Sequence, residues 1–119
     1  YYLGLLADAD NALFVAEMNG NLCGVIHTVF RQSPEIPILV PRSYVVIDSL
    51  VVKAEFQKHG IGQKLMDKAQ EWALQRSAAS IELNVYDFNQ SAITFYRGLG
   101  FETLSQKMSK SLIKSEGLE

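Results

Sequence analysis

The stretch Gln57-Lys58-His59-Gly60-Ile61-Gly62-Gln63 has residue types suited to holding an anion. Two glycines one residue apart allow a tight turn between an apolar run, Tyr44–Val52, and a helical pattern that continues to about Arg76. Such a turn leaves the first N–H groups of the helix without partners, and these, with the helix dipole, favour an anion, most often a phosphate. Lys53, Lys58, Lys64 and Lys68 add positive charge nearby. A plain strand-to-helix turn with no ligand would use the same glycines, so the rest of the chain has to decide. Asp48 and Ser49 interrupt a β-branched run, and two polar residues there suggest a bulge or a functional face. Glu17 and Glu82 are further carboxylates in strand-like segments, and His27 alternates within another. Cys23 is the only cysteine and reads as a small buried apolar residue. That excludes a disulfide framework and a cysteine zinc site, and no metal-ligand spacing stands elsewhere.

The elements that must position these residues follow from periodicity and turn chemistry. Tyr2, Leu3, Leu5 and Leu6 could end a helix, and Asp8-Ala9-Asp10-Asn11 reads as a polar turn. Leu13–Met18 and Leu22–Arg31 are strands joined at Asn19-Gly20-Asn21, a strong hairpin turn. Both faces of this hairpin are fairly apolar, so it belongs inside a larger sheet. Gln32–Pro41 carries Pro34, Pro37 and Pro41 and is expected as a surface loop. Ser43–Val52 is a strand. The helix after the glycines has a stripe of Ile61, Leu65, Ala69 and Trp72, flanked by Met66 and Ala73. Ile81–Tyr86 alternates as a strand, and Asp87 or Asn89 caps a short helix, Gln90–Leu99, which Gly100 ends. Phe101–Leu112 is expected to close the sheet as one bent strand or two short ones, and Ser115–Glu119 to be a frayed tail. The order gives an α/β fold, a mixed and mostly antiparallel sheet with flanking helices.

The composition is that of an ordinary globular domain, 119 residues with 48% apolar and 20% charged, expected as a single domain over 1–119. A formal charge of −2 argues against a nucleic-acid binder driven by bulk electrostatics. No apolar run is long enough to span a membrane and no signal peptide is visible, so a cytoplasmic protein without a membrane partner is the expectation.

Two motifs in order resemble the GNAT superfamily of acyl-CoA-dependent N-acyltransferases. The acetyl-CoA motif Arg/Gln-x-x-Gly-x-Gly/Ala stands as Gln57-Lys58-His59-Gly60-Ile61-Gly62, after the apolar triplet Leu50-Val51-Val52. The motif Asn-x-x-Ala-x-x-Phe-Tyr-x-x-x-Gly-Phe stands with Asn89, Ala92, Phe95, Tyr96, Gly100 and Phe101, every position filled. The resemblance covers Leu13 to Leu112, the core of the expected domain. It implies a GNAT-like sheet with a splayed central strand pair. Family members usually carry an opening strand and one or two helices before the Leu13 strand. Little of that fits in Tyr1–Asn11, so those N-terminal elements are expected to be missing or supplied by another chain, a homodimer being one way.

The resemblance further implies acetyl-CoA as cosubstrate and direct transfer of its acetyl group to a primary amine of a small molecule or protein. The pyrophosphate would sit on the amides of Lys58, His59, Gly60, Ile61, Gly62 and Gln63, with Gln57 and Lys64 also at the cofactor. Leu50 and Val52 would offer backbone groups to the pantetheine arm, and an amide near Leu50 or Val51 would meet the thioester oxygen. Asn89 would hold the arm, Tyr96 would be the general acid, and Asp48 a general base, directly or through water. Glu17 and Glu82 have weaker claims. His59 is expected beside the phosphate at the surface, and His27 at the sheet surface or in an acceptor-pocket wall, not as a base. The alternative is a non-catalytic acyl-CoA-sensing module on the same fold. A nucleotide P-loop is distant, because no Gly-Lys-Ser/Thr follows the turn.

Overall fold

A computed structural model of the chain describes residues 2–33 and 42–113, residues 2–7 by their backbone. The loop expected around Pro34, Pro37 and Pro41 and the tail Ser115–Glu119 lie outside the described residues. The chain divides into two compact units, Tyr1–Asn84 and Val85–Glu119, where the sequence reading has one domain.

The first unit is a five-stranded sheet of β1 (Tyr2–Ala7), β2 (Asn11–Met18), β3 (Asn21–Gln32), β4 (Ser43–Val52) and β5 (Ser80–Leu83), in that spatial order. The first four strands are antiparallel, and β4 pairs with β5 in parallel across the crossover helix α1 (Ile61–Gln75). The hairpin read at Asn19-Gly20 forms with both residues at positive φ, 54° and 79°, the conformation a two-residue turn between twisted strands requires.

One sheet face is the core. The helix stripe read from the sequence, Ile61, Leu65, Met66, Ala69, Trp72 and Ala73, is buried as a set, against Ala12, Phe14, Ala16, Ile26, Val45 and Ile47 of the strands. Ile61 and Leu65 are almost fully buried, and burial of each such side chain stabilises by roughly 1.5–3 kcal/mol. The helix comes close because Gly24 has no side chain: a Cβ there would meet Leu65 Cδ1 at 3.1 Å and Ile61 Cγ2 at 3.2 Å. Buried polar groups are satisfied. Thr28 Oγ1 donates to the carbonyl of Ala12, and Cys23 Sγ to that of Ala16, so Cys23 is the buried strand residue expected.

Three expectations are corrected. Tyr2, Leu3, Leu5 and Leu6 do not end a helix; Tyr2–Ala7 is a strand paired in register with Ala12–Glu17, so an opening strand is present. Its leucine spacing fits a helix or a strand, and the ladder with β2 decides. A carboxylate fixes the turn: Asp8 Oδ1 accepts from the amides of Asp10 and Asn11 at 2.9 and 2.8 Å, which holds its pKa below the ordinary aspartate value of 3.8. Arg76, stacked over Trp72, donates to the carbonyls of Asp8 and Ala9 and ties the turn to α1. Second, the strand expected to reach Tyr86 stops at Leu83; Val85 and Tyr86 are exposed. Third, Phe101–Leu112 forms no strand, and Leu104, Met108 and Leu112 are exposed. Those three share one parity and would line a single strand face, so their spacing permits a strand and local pattern alone does not decide against it.

The second unit contains α2 (Gln90–Gly98), capped as read by Asn89, whose side-chain oxygen accepts from the amide of Ala92 at 3.2 Å. Gly100 follows at φ 98°, where a residue with a side chain is strained. No helix among the described residues is long and apolar enough to cross a membrane.

Candidate active site

The suspected bulge exists. His27 of β3 faces Ser49 of β4, and the next residue, Thr28, faces Ile47, so Asp48 is the extra residue with no partner. The parallel pairing of β4 with β5 ends at Ile47 and Leu83, one residue before that bulge. Beyond it, Asp48–Val52 has β3 on one side and no strand on the other among the described residues. The splayed pair expected from the sequence is therefore present.

Strand alternation assigns the open groups. The amide of Lys53 donates to the carbonyl of Cys23 at 2.9 Å, so Lys53 and Val51 turn their backbone towards β3. Leu50 and Val52 turn theirs to the open edge. The Val52 carbonyl is met there by the side chain of Gln57, which donates to it at 3.0 Å. Gln57 thus closes the loop from strand end to glycine turn.

The turn itself is left-handed twice in three residues, Lys58 at φ 65° and Gly60 at φ 78°. Gly60 is the N-cap of α1 and supplies no side chain, and the first bond of the helix runs from Lys64 N–H to the Gly60 carbonyl. Among the described residues no acceptor stands against the amides of Lys58, His59, Gly60, Ile61, Gly62 or Gln63. A Cβ at Gly60 would meet nothing within 4 Å, so open space lies over it. Successive free amides at a helix start, facing open space, form an anion-binding concavity.

The sheet face away from α1 carries an open cleft of about 550 Å³ lined by Asp8, Asn11, Leu13, Val25, His27 and Ser49, with Ala12. His27 Nδ1 lies 3.3 Å from Asp48 Oδ2, and Nε2 lies 3.1 Å from Asn11 Oδ1. Asp8 and Asn11, read from the sequence only as a polar turn, thus belong to this site. The signal for the turn was the Asp-x-Asp-Asn pattern. Their meeting with His27 depends on the β2–β3 register, which no local pattern encodes. Of the weaker carboxylates, Glu82 pairs with Arg42 at 2.7 Å and Glu17 pairs across β1 with Tyr2.

Asn89 and Tyr96 belong to the second unit. Tyr96 is half-buried, with ring edges of Phe95 and Phe101 at centroid distances of 5.3 and 5.7 Å. Burial pushes its phenol above the ordinary value of 10.0, so the hydroxyl keeps its proton at neutral pH.

The sequence profile of the acetyltransferase (GNAT) family matches residues 1–101. The chain belongs to the GNAT family. It is 33% identical over 102 residues to an uncharacterized N-acetyltransferase of Methanocaldococcus jannaschii, covering 86% of this chain and 44% of that protein. It is 30% identical over 73 residues to the thialysine N-epsilon-acetyltransferase of Bos taurus, covering 61% of this chain and 43% of the bovine protein. The matched segments thus span less than half the length of these two curated relatives. Among solved structures, a mutant Bacillus halodurans protein superposes with a TM-score of 0.83 at 26% identity, over 88% of this chain and 68% of that one. An aminoglycoside N-acetyltransferase in complex with CoA shares the fold, with a TM-score of 0.75 at 18% identity, over 91% of this chain and 79% of that one.

Proposed function

We propose that this GNAT chain transfers an acetyl group from acetyl-CoA directly to a primary amine of a small molecule or protein. The observation that carries the reading is the open β4 edge at Leu50 and Val52 running into the amides of Lys58–Gln63, which have no acceptor among the described residues. Pantetheine amides would add to that edge as an extra strand, and the pyrophosphate would lie on the helix start. The amide of Leu50 would stabilise the oxyanion, since that of Val51 is turned towards β3. Asp48 would take the proton from the amine. The freed lone pair then attacks the thioester carbon, the carbon–sulfur bond breaks, Tyr96 protonates the departing thiolate, and the second proton lost by the new amide nitrogen restores that of Tyr96. Asn89 would steady the arm while capping its helix. The bovine relative, named for a side-chain amine, supports an amine acceptor.

The test is thiol release from acetyl-CoA against a library of primary amines. Release dependent on one class of amine is expected. Tight acetyl-CoA binding with no release for any amine would leave the acyl-CoA-sensing module as the function.

Charge and redox state support a cytoplasmic role away from membrane and nucleic acid: the net charge is −2 and Cys23 is a free thiol. The sheet face opposite α1 leaves Val51 56% exposed and Val15 only half-buried. A second copy of the chain would cover that apolar strip. Sedimentation at low micromolar concentration is expected to show a dimer. A folded monomer under those conditions removes this part of the reading.

A further inference from the structure

The ring of His27 sits in a network whose polarity is set from one end. Asp8 Oδ1 is an acceptor, so the Asn11 atom 3.2 Å from it must be the amide nitrogen, which donates to it. That orientation turns Asn11 Oδ1 towards His27, and an amide oxygen only accepts, so Nε2 must carry a hydrogen. A neutral ring then has its bare lone pair on Nδ1. Opposite Nδ1, at 3.3 Å, stands Asp48 Oδ2, another acceptor. Two acceptors face each other across a gap that one proton fills.

We propose that His27 and Asp48 act as a single proton-holding pair, and that the pair takes its proton from an alkyl ammonium lodged in the cleft on the sheet face away from α1. This rests on the acetyl-transfer reading and names its acceptor class. An N–H bond of the ammonium breaks and the proton enters the Nδ1–Oδ2 gap. The nitrogen lone pair so freed attacks the thioester carbon, the carbon–sulfur bond breaks, and the thiolate leaves as a thiol while the new amide nitrogen gives up its second proton in exchange. Asp48, with its side chain 64% exposed, later passes the proton to water. Asn11 and Asp8 are positioning residues: they fix which ring nitrogen is bare.

The cleft fits the charge and shape of that acceptor. Leu13 and Val25 give an apolar wall for an alkyl stem, and the Asp8 carboxylate stands at the rim to favour a cation. The charged groups on the elements packed around His27 are Asp48 on β4 and, through Asn11, Asp8 in the turn before β2. Arg76 of α1 reaches that turn through the carbonyls of Asp8 and Ala9. The bulge supplies the geometry, because it sets both Asp48 and Ser49 of β4 opposite the single residue His27.

The probe is n-hexylamine. The chain has two histidines, so long-range proton–nitrogen spectra can follow both rings, with His59 as the internal reference. The neutral ring of His27 is expected as the Nε2–H tautomer, with n-hexylamine shifting His27 signals and not those of His59. His27→Gln and Asp48→Asn are each expected to lower kcat/KM for n-hexylamine about a hundredfold at neutral pH. The double variant should lose little more, and acetyl-CoA affinity should hold. The deficit should shrink as pH rises towards deprotonation of the amine itself, where no base is needed. An Nδ1–H tautomer, or a deficit independent of pH, overturns the pair. Transfer to other amines but not to n-hexylamine overturns the alkyl class. If wild type acetylates no amine, the transfer reading falls by itself, and the tautomer and the n-hexylamine shifts still decide whether the pair and its cleft exist.

Discussion

Tyr96→Phe is expected to lower turnover about a hundredfold while acetyl-CoA binds as before. General acid–base contributions are typically about a hundredfold or more, and this substitution removes one proton and keeps the ring. The ring contacts are edge-on to Phe95 and Phe101, which phenylalanine preserves. The hydroxyl has no hydrogen-bond partner among the described residues, so its loss leaves no orphaned group and stability should hardly change. Burial raises the phenol above 10.0, so the acid stays loaded across the neutral range and activity should not fall through its ionisation until strongly alkaline pH. A steady-state assay, with single turnovers to show that chemistry limits the rate, reads the effect. Near-wild-type turnover would reduce Tyr96 to packing and leave water to protonate the thiolate.

The second large effect is expected at the amide turn. Gly60 has φ 78°, and a β-branched residue is a genuine outlier there. Holding such strain costs on the order of 1–3 kcal/mol, and tenfold in affinity is about 1.4 kcal/mol. Gly60→Val should therefore weaken CoA binding at least about tenfold, by pulling the amides of Ile61 and Gly62 off the phosphates and by placing methyl groups in the open space above them. The helix should survive, because its burial begins at Ile61 and runs through Ala73 on the other side of the turn. Calorimetry on a variant shown to be folded separates the two effects, with Gly60→Ala as the milder partner. Unchanged CoA affinity in the folded valine variant would remove the turn from the binding site.

Much of this was local and so could be read along the chain. The buried stripe of α1 is a 3.6-residue period within one segment, and it recurs residue for residue in the packed helix. Asn19-Gly20 dictates its own turn, and Asn89 caps α2 through a neighbour three residues away. Asp48 and Ser49, two polar residues inside a β-branched run, suggested a bulge or a functional face, and a bulge is what formed.

Tertiary structure decided what depends on partners far apart in sequence. Tyr2–Ala7 is a strand because β2 offers it a ladder; its own leucines fit either period. Phe101–Leu112 is not a strand, and Leu104, Met108 and Leu112 stand exposed. His27 looked like any strand histidine. Its two partners arrive from residues 11 and 48, one through the register of β2 on β3 and the other through a single extra residue in β4. Register is set by the whole sheet, and one residue of slip would send Asp48 to the opposite face, so no window of sequence around His27 could have named either partner.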